Sequence, residues 1–201
     1  MTVGVVLLAA GGSSRLGRPK QLVLHQGKSL VRRAAEIALS AECGPVVVVL
    51  GAHPEAVASE LAGLPVRTVH HPDWAAGPGG SLVAGVRALV HASDLDAVLV
   101  MLCDQLRVDS AHLRALVETW RSTGAAVVAS AYEGTRGVPA LFCRAVFPEL
   151  ESLRPEQGAR GVIARDSSRV AEVPLPGGGE DVDTEADLAR LRQAGSEPAG
   201  S

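Results

Sequence analysis

Aromatic side chains are nearly missing from this chain of 201 residues, which has only Trp74, Trp120, Tyr132, Phe142 and Phe147. So few leave little material for a platform on which the bases of a single strand could stack. An excess of positive charge is missing too. The formal net charge is −3, and without a strongly basic face the binding of nucleic acid is disfavoured. Cysteine is scarce and odd in number. Cys43, Cys103 and Cys143 lie far apart, with no CxxC pair. That excludes a disulfide framework or a zinc cluster and suits a reducing cytoplasm. No apolar run approaches the roughly 18–20 residues that span a bilayer. The chain opens on a strand pattern, with no basic leader and no small-residue cleavage site. The expectation is a soluble cytoplasmic protein with no nucleic-acid and no membrane partner.

What the chain does have is aliphatic bulk. Hydrophobic residues make up 47% of it, and a chain of this length buries a sizeable core without covalent staples. One domain is expected over residues 1–193, with a disordered tail at 194–201. Apolar runs alternate with helical patterns. Strands are expected at Val3–Ala9, 45–51, 66–70, 96–104 and 125–131. Helices are expected at Leu30–Leu39, 54–61, 80–91 and 110–121, the last capped by Asp109 or Ser110. The runs "PVVVVLG" and "DAVLVMLCD" are continuous and β-branched, the mark of strands buried on both faces. This alternation predicts a mostly parallel sheet covered by helices. Beyond residue 131 the pattern is less regular. A strand over "GVPALF", short helices at 144–151 and 158–165, a strand over "RVAEVPL" and a loop over "PGGGEDVD" are expected. Thr184 then caps a last helix, with Asp187 in the reciprocal position of a capping box.

In an open α/β sheet, ligands bind beyond the carboxyl ends of the strands. Four such loops should therefore converge: "GGSSRLGRPK" after the first strand, Gly51-Ala52, "HHPDWAAGPGGSL" and Asp104-Gln105. The first of these contains no GxGxxG. It is not a P-loop either. Gly12–Gly17 supply GxxxxG, but Arg18 and Pro19 stand before Lys20, and Pro19 has no N–H for a phosphate cradle. A glycine turn carrying surface charge is the plain alternative. Composition argues for more than that. The chain has two lysines, Lys20 and Lys28, against 17 arginines, so a lysine kept in this loop is informative, because a compact ammonium acts as a point charge on phosphate.

The stretch "LAAGGSSRLGRPKQL" resembles the LAAGxSxRxGxxKxL signature of the MobA-like NTP transferases, which include the molybdenum cofactor cytidylyltransferases and guanylyltransferases. "HPDWAAGPGGSLVAGVRAL" resembles the family's NPxWxxGMxxSLxxG, and "VLVMLCDQLRVDSAHLRAL" its VxxxLGDQPxVxxxxLxxL. "EGTRGVPALFCRAVFPEL" is similar to GxRGHPxLFxxxxFxEL, "EQGARGVI" to GDxGAR, and "EDVDTEADLARL" to DIDTxEDL. These matches run in order from residue 7 to 191. Ala9-Ala10 before Gly11, together with "CDQ", fits the cytidylyltransferase branch best. The chain departs from the pattern at "GPGGSL", at Cys103 and Leu106, at Val138 and around Glu156-Gln157.

The resemblance implies a three-layer α/β/α, Rossmann-like nucleotidyltransferase fold of the nucleotide-diphospho-sugar transferase type. It also implies Mg²⁺-dependent transfer of a nucleoside monophosphate from an NTP, CTP favoured, to a phosphorylated acceptor, the molybdopterin cofactor, with release of pyrophosphate; the alternative is a related enzyme that uses GTP or another phosphorylated acceptor. A molybdenum hydroxylase is then the expected recipient of the product. The nucleotide would lie on Leu8, Ala9, Ala10, Gly11, Gly12, Ser13 and Ser14, with base and ribose at Gly51 and at Pro78, Gly79, Gly80 and Ser81. Arg15 and Lys20 would neutralise phosphate charge, and Arg136, Gly137, Pro139 and Arg160 would line the acceptor pocket. Asp104, directly after a buried strand, is the first metal ligand, the plain alternative being a turn cap. Asp181 is preferred to Asp183 as the second, Asp183 having the competing role of a helix cap. His70-His71, adjacent on a strand, face opposite sides and fit structural or surface roles better than a metal pair. Trp74 is expected as packing beneath the loop, with stacking on the acceptor as the minor alternative. An oxidoreductase on the same sheet is a weaker reading, since no dinucleotide fingerprint is present. So is a cofactor carrier, which would need no metal pair.

Overall fold

The computed structural model describes residues 1–12, 17–180 and 187. β1 (Val3–Ala9) leads to a 3₁₀ turn at Lys20–Leu22 and a small hairpin of β2 (Leu24–His25) and β3 (Lys28–Ser29). Then come α1 (Leu30–Ser40), β4 (Val46–Leu50), α2 (Pro54–Glu60), β5 (Arg67–His70), α3 (Pro78–Ala92) and β6 (Ala97–Leu102). The second part of the chain holds α4 (Ser110–Thr123), β7 (Val127–Tyr132), β8 (Thr135–Cys143), α5 (Phe147–Glu151), α6 (Ala159–Arg165) and β9 (Val170–Pro174). The main sheet has seven strands in the order β5-β4-β1-β6-β8-β7-β9. β1, β4, β5 and β6 pair in parallel. β7 and β9 also pair in parallel, while β8 runs antiparallel to both β6 and β7.

The apolar runs are continuous because the sheet is covered on both sides. Val5, Leu7, Val46, Val48, Leu99 and Met101 face the layer of α1, α2 and α4. Val6, Val47, Val49, Val98 and Val100 face α3, α5 and α6. A strand's side chains alternate between faces, so two covered faces require apolar residues at every position. Each such valine or leucine, fully buried, contributes about 1.5–3 kcal/mol relative to exposure. α3 sits so close to the sheet that a Cβ on Gly85 would lie 2.6 Å from Val6 and 2.8 Å from Val49.

The helices begin where capping chemistry allows. Ser29 accepts from the Arg32 N–H at the start of α1, and Asp109, not Ser110, caps α4 by accepting from His112 N–H at 2.8 Å. One expectation needs correction. α3 begins at Pro78, not at residue 80, because proline is pre-shaped for the first helical position, so Pro78–Ser81 form a helical turn. The sheet is mostly parallel, as expected, and β8 is its antiparallel strand, because β7 and β8 are joined by the two-residue turn Glu133-Gly134, with φ of 51° and 73°. Such a left-handed pair makes a tight hairpin, which forces antiparallel pairing. Thr184 and the tail lie outside the described residues.

Candidate active site

The register sets the site. Ala9 stands beside Leu50, Leu50 beside His70, and Leu8 beside Leu102. Four parallel strands therefore end level, and their following loops share one edge. Ala52 N–H donates to Ala10 O at 3.1 Å, and His71 N–H to Leu50 O at 2.8 Å, carrying the ladder past the strand ends.

Glycine lets these loops touch. A Cβ on Gly12 would lie 2.6 Å from the Trp74 ring. One on Gly51 would run into Ala10 O and lie 2.7 Å from Trp74 Cβ. Trp74 thus packs beneath the loop after β1, against both glycines. The first turn of α3 is enclosed from two sides. Gly79 lies against the backbone of Arg154 and Gln157 and donates to Pro155 O at 2.9 Å, and His71 covers Gly80. Ser81 is buried at the same turn.

Two of the expected charged residues meet here although 84 positions separate them. Lys20 Nζ donates to Asp104 Oδ2, with both side chains largely removed from solvent. Cys103, beside Asp104, is buried. Burial, and secondarily the Asp104 charge, push its thiol up to about 12, so it stays protonated and inert. Gln105 donates from Nε2 to Val138 O at 2.8 Å, which ties the Asp104 loop to the Arg136–Pro139 segment. Behind that segment His112, Ser130 and Pro139 form a buried chain. Ser130 Oγ donates to Pro139 O at 2.5 Å, so His112 Nε2, 2.8 Å away, is the donor to Ser130 Oγ. Burial holds the His112 imidazole below its usual value, against a smaller opposing effect of the Asp109 carboxylate.

Arg136 and Arg160 line one cavity of about 710 Å³ with Tyr132, Thr135 and Glu172. Arg136 Nε is paired with Glu172 at 2.5 Å. Tyr132 covers Gly137 and its hydroxyl donates to Val138 O at 3.4 Å. Ser13, Ser14, Arg15, Asp181 and Asp183 lie outside the described residues. The loop that leads to Asp181 is drawn toward the Asp104 loop, since Arg107 Nε pairs with Glu180 at 2.8 Å and Gly177 lies against Arg107.

Sequence reasoning missed Gln21. It is 1% exposed, and its Nε2 donates to Ala9 O at 2.9 Å and Gly11 O at 2.7 Å. Its Oε1 is buried and has no partner among the described residues. A polar residue in a short turn, directly before the apolar run Leu22-Val23-Leu24, was the one available signal.

Among the described residues no three His, Cys, Asp or Glu side chains gather as a metal cage. A magnesium-type ion needs none, taking one or two carboxylates and completing its shell with phosphate oxygens and water. Asp104 suits such an ion, being a buried carboxylate that already faces a cationic group at a strand's carboxyl end.

Residues 5–170 match the MobA-like NTP transferase domain. The chain belongs to that family. A relative, the nicotine blue oxidoreductase of Paenarthrobacter nicotinovorans, is 34% identical over 197 residues, covering 92% of this chain and 94% of that protein. The crystal structure of Rv0371c from Mycobacterium tuberculosis H37Rv superposes with a TM-score of 0.81 at 28% identity, over 96% of this chain and 99% of that one. The same protein in complex with manganese gives a TM-score of 0.78 at 25% identity, over 96% and 100%. The three-layer architecture of this MobA-like chain is the nucleotidyltransferase fold of the nucleotide-diphospho-sugar transferase type. No described helix is long and apolar enough to cross a membrane.

Proposed function

We propose that this MobA-like NTP transferase is a cytoplasmic molybdenum cofactor cytidylyltransferase, moving CMP from CTP to the phosphate of molybdopterin cofactor and releasing pyrophosphate. The observation that carries the reading is the meeting of Lys20 and Asp104 at the mouth of the glycine loop. It brings a phosphate-neutralising ammonium and a metal-type carboxylate to the same strand edge, which is what nucleotidyl transfer needs. The choice of CTP and of the acceptor rests on the LAAG and CDQ resemblance.

An oxygen of the acceptor phosphate attacks the α-phosphorus, a new P–O bond forms, and the bond to the β-phosphate oxygen breaks. The nucleophile is already ionised, so no general base is required. What remains is positioning and charge neutralisation. Backbone amides from Ala10 to Ser14 hold the β- and γ-phosphates, and Arg15 and Lys20 meet charge on the leaving pyrophosphate. Asp104 with Asp181, or Asp183 in its place, would hold Mg²⁺, which would neutralise charge on the triphosphate. Base and ribose lie between Gly51 and the first turn of α3. The cavity of Arg136 and Arg160 takes the anionic acceptor, and Gly137 and Pro139, which follow Arg136 along β8, complete the acceptor site.

The test incubates the protein with Mg²⁺, molybdenum cofactor and each NTP in turn, and follows pyrophosphate. Release with CTP alone is expected. Release with GTP, or only with another phosphorylated acceptor, overturns the specificity but keeps the reaction. A second reading, an oxidoreductase, is favoured by the Paenarthrobacter relative alone. No pyrophosphate with any NTP, alongside redox turnover of a small organic substrate, would establish it instead. Tight cofactor binding without either activity would indicate a carrier.

A further inference from the structure

We infer that Gln21 is the positioning residue that aims the backbone amides of the loop after β1 at phosphate. The inference rests on the reading of that loop as the triphosphate site, and it concerns a residue to which that reading gives no role.

Both amide hydrogens of Gln21 are committed, one to Ala9 O and one to Gly11 O. The opposite orientation of the side-chain amide would set its oxygen against two carbonyl oxygens, so the donors fix it. In a planar trans peptide the C=O of one residue and the N–H of the next point in opposite directions. Drawing Ala9 O and Gly11 O toward Gln21 therefore turns the N–H of Ala10 and of Gly12 away from it. Ala10 O is held separately by Ala52 N–H, which turns the Gly11 N–H away from β4. The orientation of three successive peptide planes is thus set by two outside donors. Gly11 is exposed and Gly12 half-buried, and consecutive amides at such a loop can form an anion-binding concavity. Trp74 props the same loop from another side.

Gln21 can do this because of where its turn is anchored. Leu22 N–H donates to Pro19 O and Val23 N–H to Lys20 O, and Leu30 N–H returns to Val23 O. Within that turn Lys20 reaches Asp104 while its neighbour Gln21 reaches the end of β1. One short segment therefore supplies a charge to the site and shapes the backbone opposite it.

The probe is inorganic pyrophosphate, which binds the loop without calling on base or acceptor pockets. Calorimetry on the wild-type chain and on Gln21→Met, at a temperature where both are folded by circular dichroism, should show a roughly tenfold loss of pyrophosphate affinity in the variant. Amide resonances of Gly11 and Gly12 should shift on titration of the wild type and respond weakly in Gln21→Met. A merely structural role would lower thermal stability and leave the folded variant's affinity intact. Equal affinity in the two proteins overturns the role of Gln21 and leaves the phosphate loop standing. No binding and no Gly11 or Gly12 shift in the wild type overturns the loop reading and this inference with it. Should Gln21→Met fail to fold, the wild-type side-chain NH₂ of Gln21 decides. Slow hydrogen exchange with a shift on pyrophosphate supports the assignment, and free exchange overturns it.

Discussion

The two halves of the sheet reach the same edge by different means. On the β5-β4-β1-β6 side, strands run parallel and end level, and the loops meet through glycine and backbone, with Gly12 and Gly51 pressed on Trp74. On the β8-β7-β9 side an antiparallel strand intervenes. There the segment Arg136–Pro139 is held by side chains, namely Gln105 on Val138 O and the His112–Ser130 chain on Pro139 O. Backbone and glycine suit a ligand portion common to all nucleoside triphosphates. A wall built from side chains can be altered one residue at a time, which suits an acceptor that differs from enzyme to enzyme.

Asp104 stands at the boundary between the halves, and its replacement should have the largest effect. Asp104→Asn keeps the shape and removes the charge that faces Lys20. Turnover measured as pyrophosphate release should fall by about 10³-fold. Undiminished turnover would show that the boundary carboxylate takes no part and that the metal is held elsewhere.

Next in size is a steric test of the backbone-built half. Gly51→Ala puts a methyl against Ala10 O and Trp74, and overpacking of this kind costs about 1–3 kcal/mol. The melting temperature should fall by about 2–4 °C for each kcal/mol in a chain of this size. Gly161→Ala is the sharpening control. It lies in α6, where an added Cβ would meet no heavy atom of the described residues within 4 Å, and the gain in helix propensity should leave stability unchanged or raise it by about 0.5–1 kcal/mol. Equal melting temperatures for the two variants would contradict the close meeting of loops at Gly51.

These contrasts also explain what could be read in advance. β1, β4 and β6 were legible because both their faces are covered and every position must be apolar. The direction of β8 was not, since an apolar pattern is the same read either way. The deciding signal was the Glu133-Gly134 turn, whose left-handed φ values enforce a hairpin. Asp109 could be read as a cap from its place before a helical pattern. The family resemblance implied separate roles for Lys20 and Asp104 at one site, but not their ion pair, since nothing local joins residues 84 positions apart. Gln21 escaped because its partners are backbone carbonyls, which every residue has.

The smallest expected effect belongs to the side-chain-built half and is read through pH. The folded-state pKa of His112 lies below its ordinary 6.5 because burial disfavours the charged ring. Above 6.5 the ring is neutral in both the folded and unfolded chains, and the stability of the His112–Ser130–Pro139 chain is fully present. As pH falls through 6.5 the unfolded chain takes up a proton that the folded chain resists. Stability then declines, by at most about 1.4 kcal/mol per pH unit for one group, until the folded-state value is passed and the loss levels off. Glu149 acts in a lower window. Its hydrogen bond from Arg169 holds its carboxyl below 4.5, so its contribution is present above that value and fades as pH falls further. His112→Gln retains an N–H donor toward Ser130 but does not titrate. Urea unfolding between pH 7 and 5 should therefore show a decline in the wild type that is flattened in His112→Gln, with both proteins sharing the later loss near and below 4.5. Identical slopes between pH 7 and 5 would mean that the imidazole is not buried as a neutral donor, and that the wall behind Pro139 is held by something other than this chain.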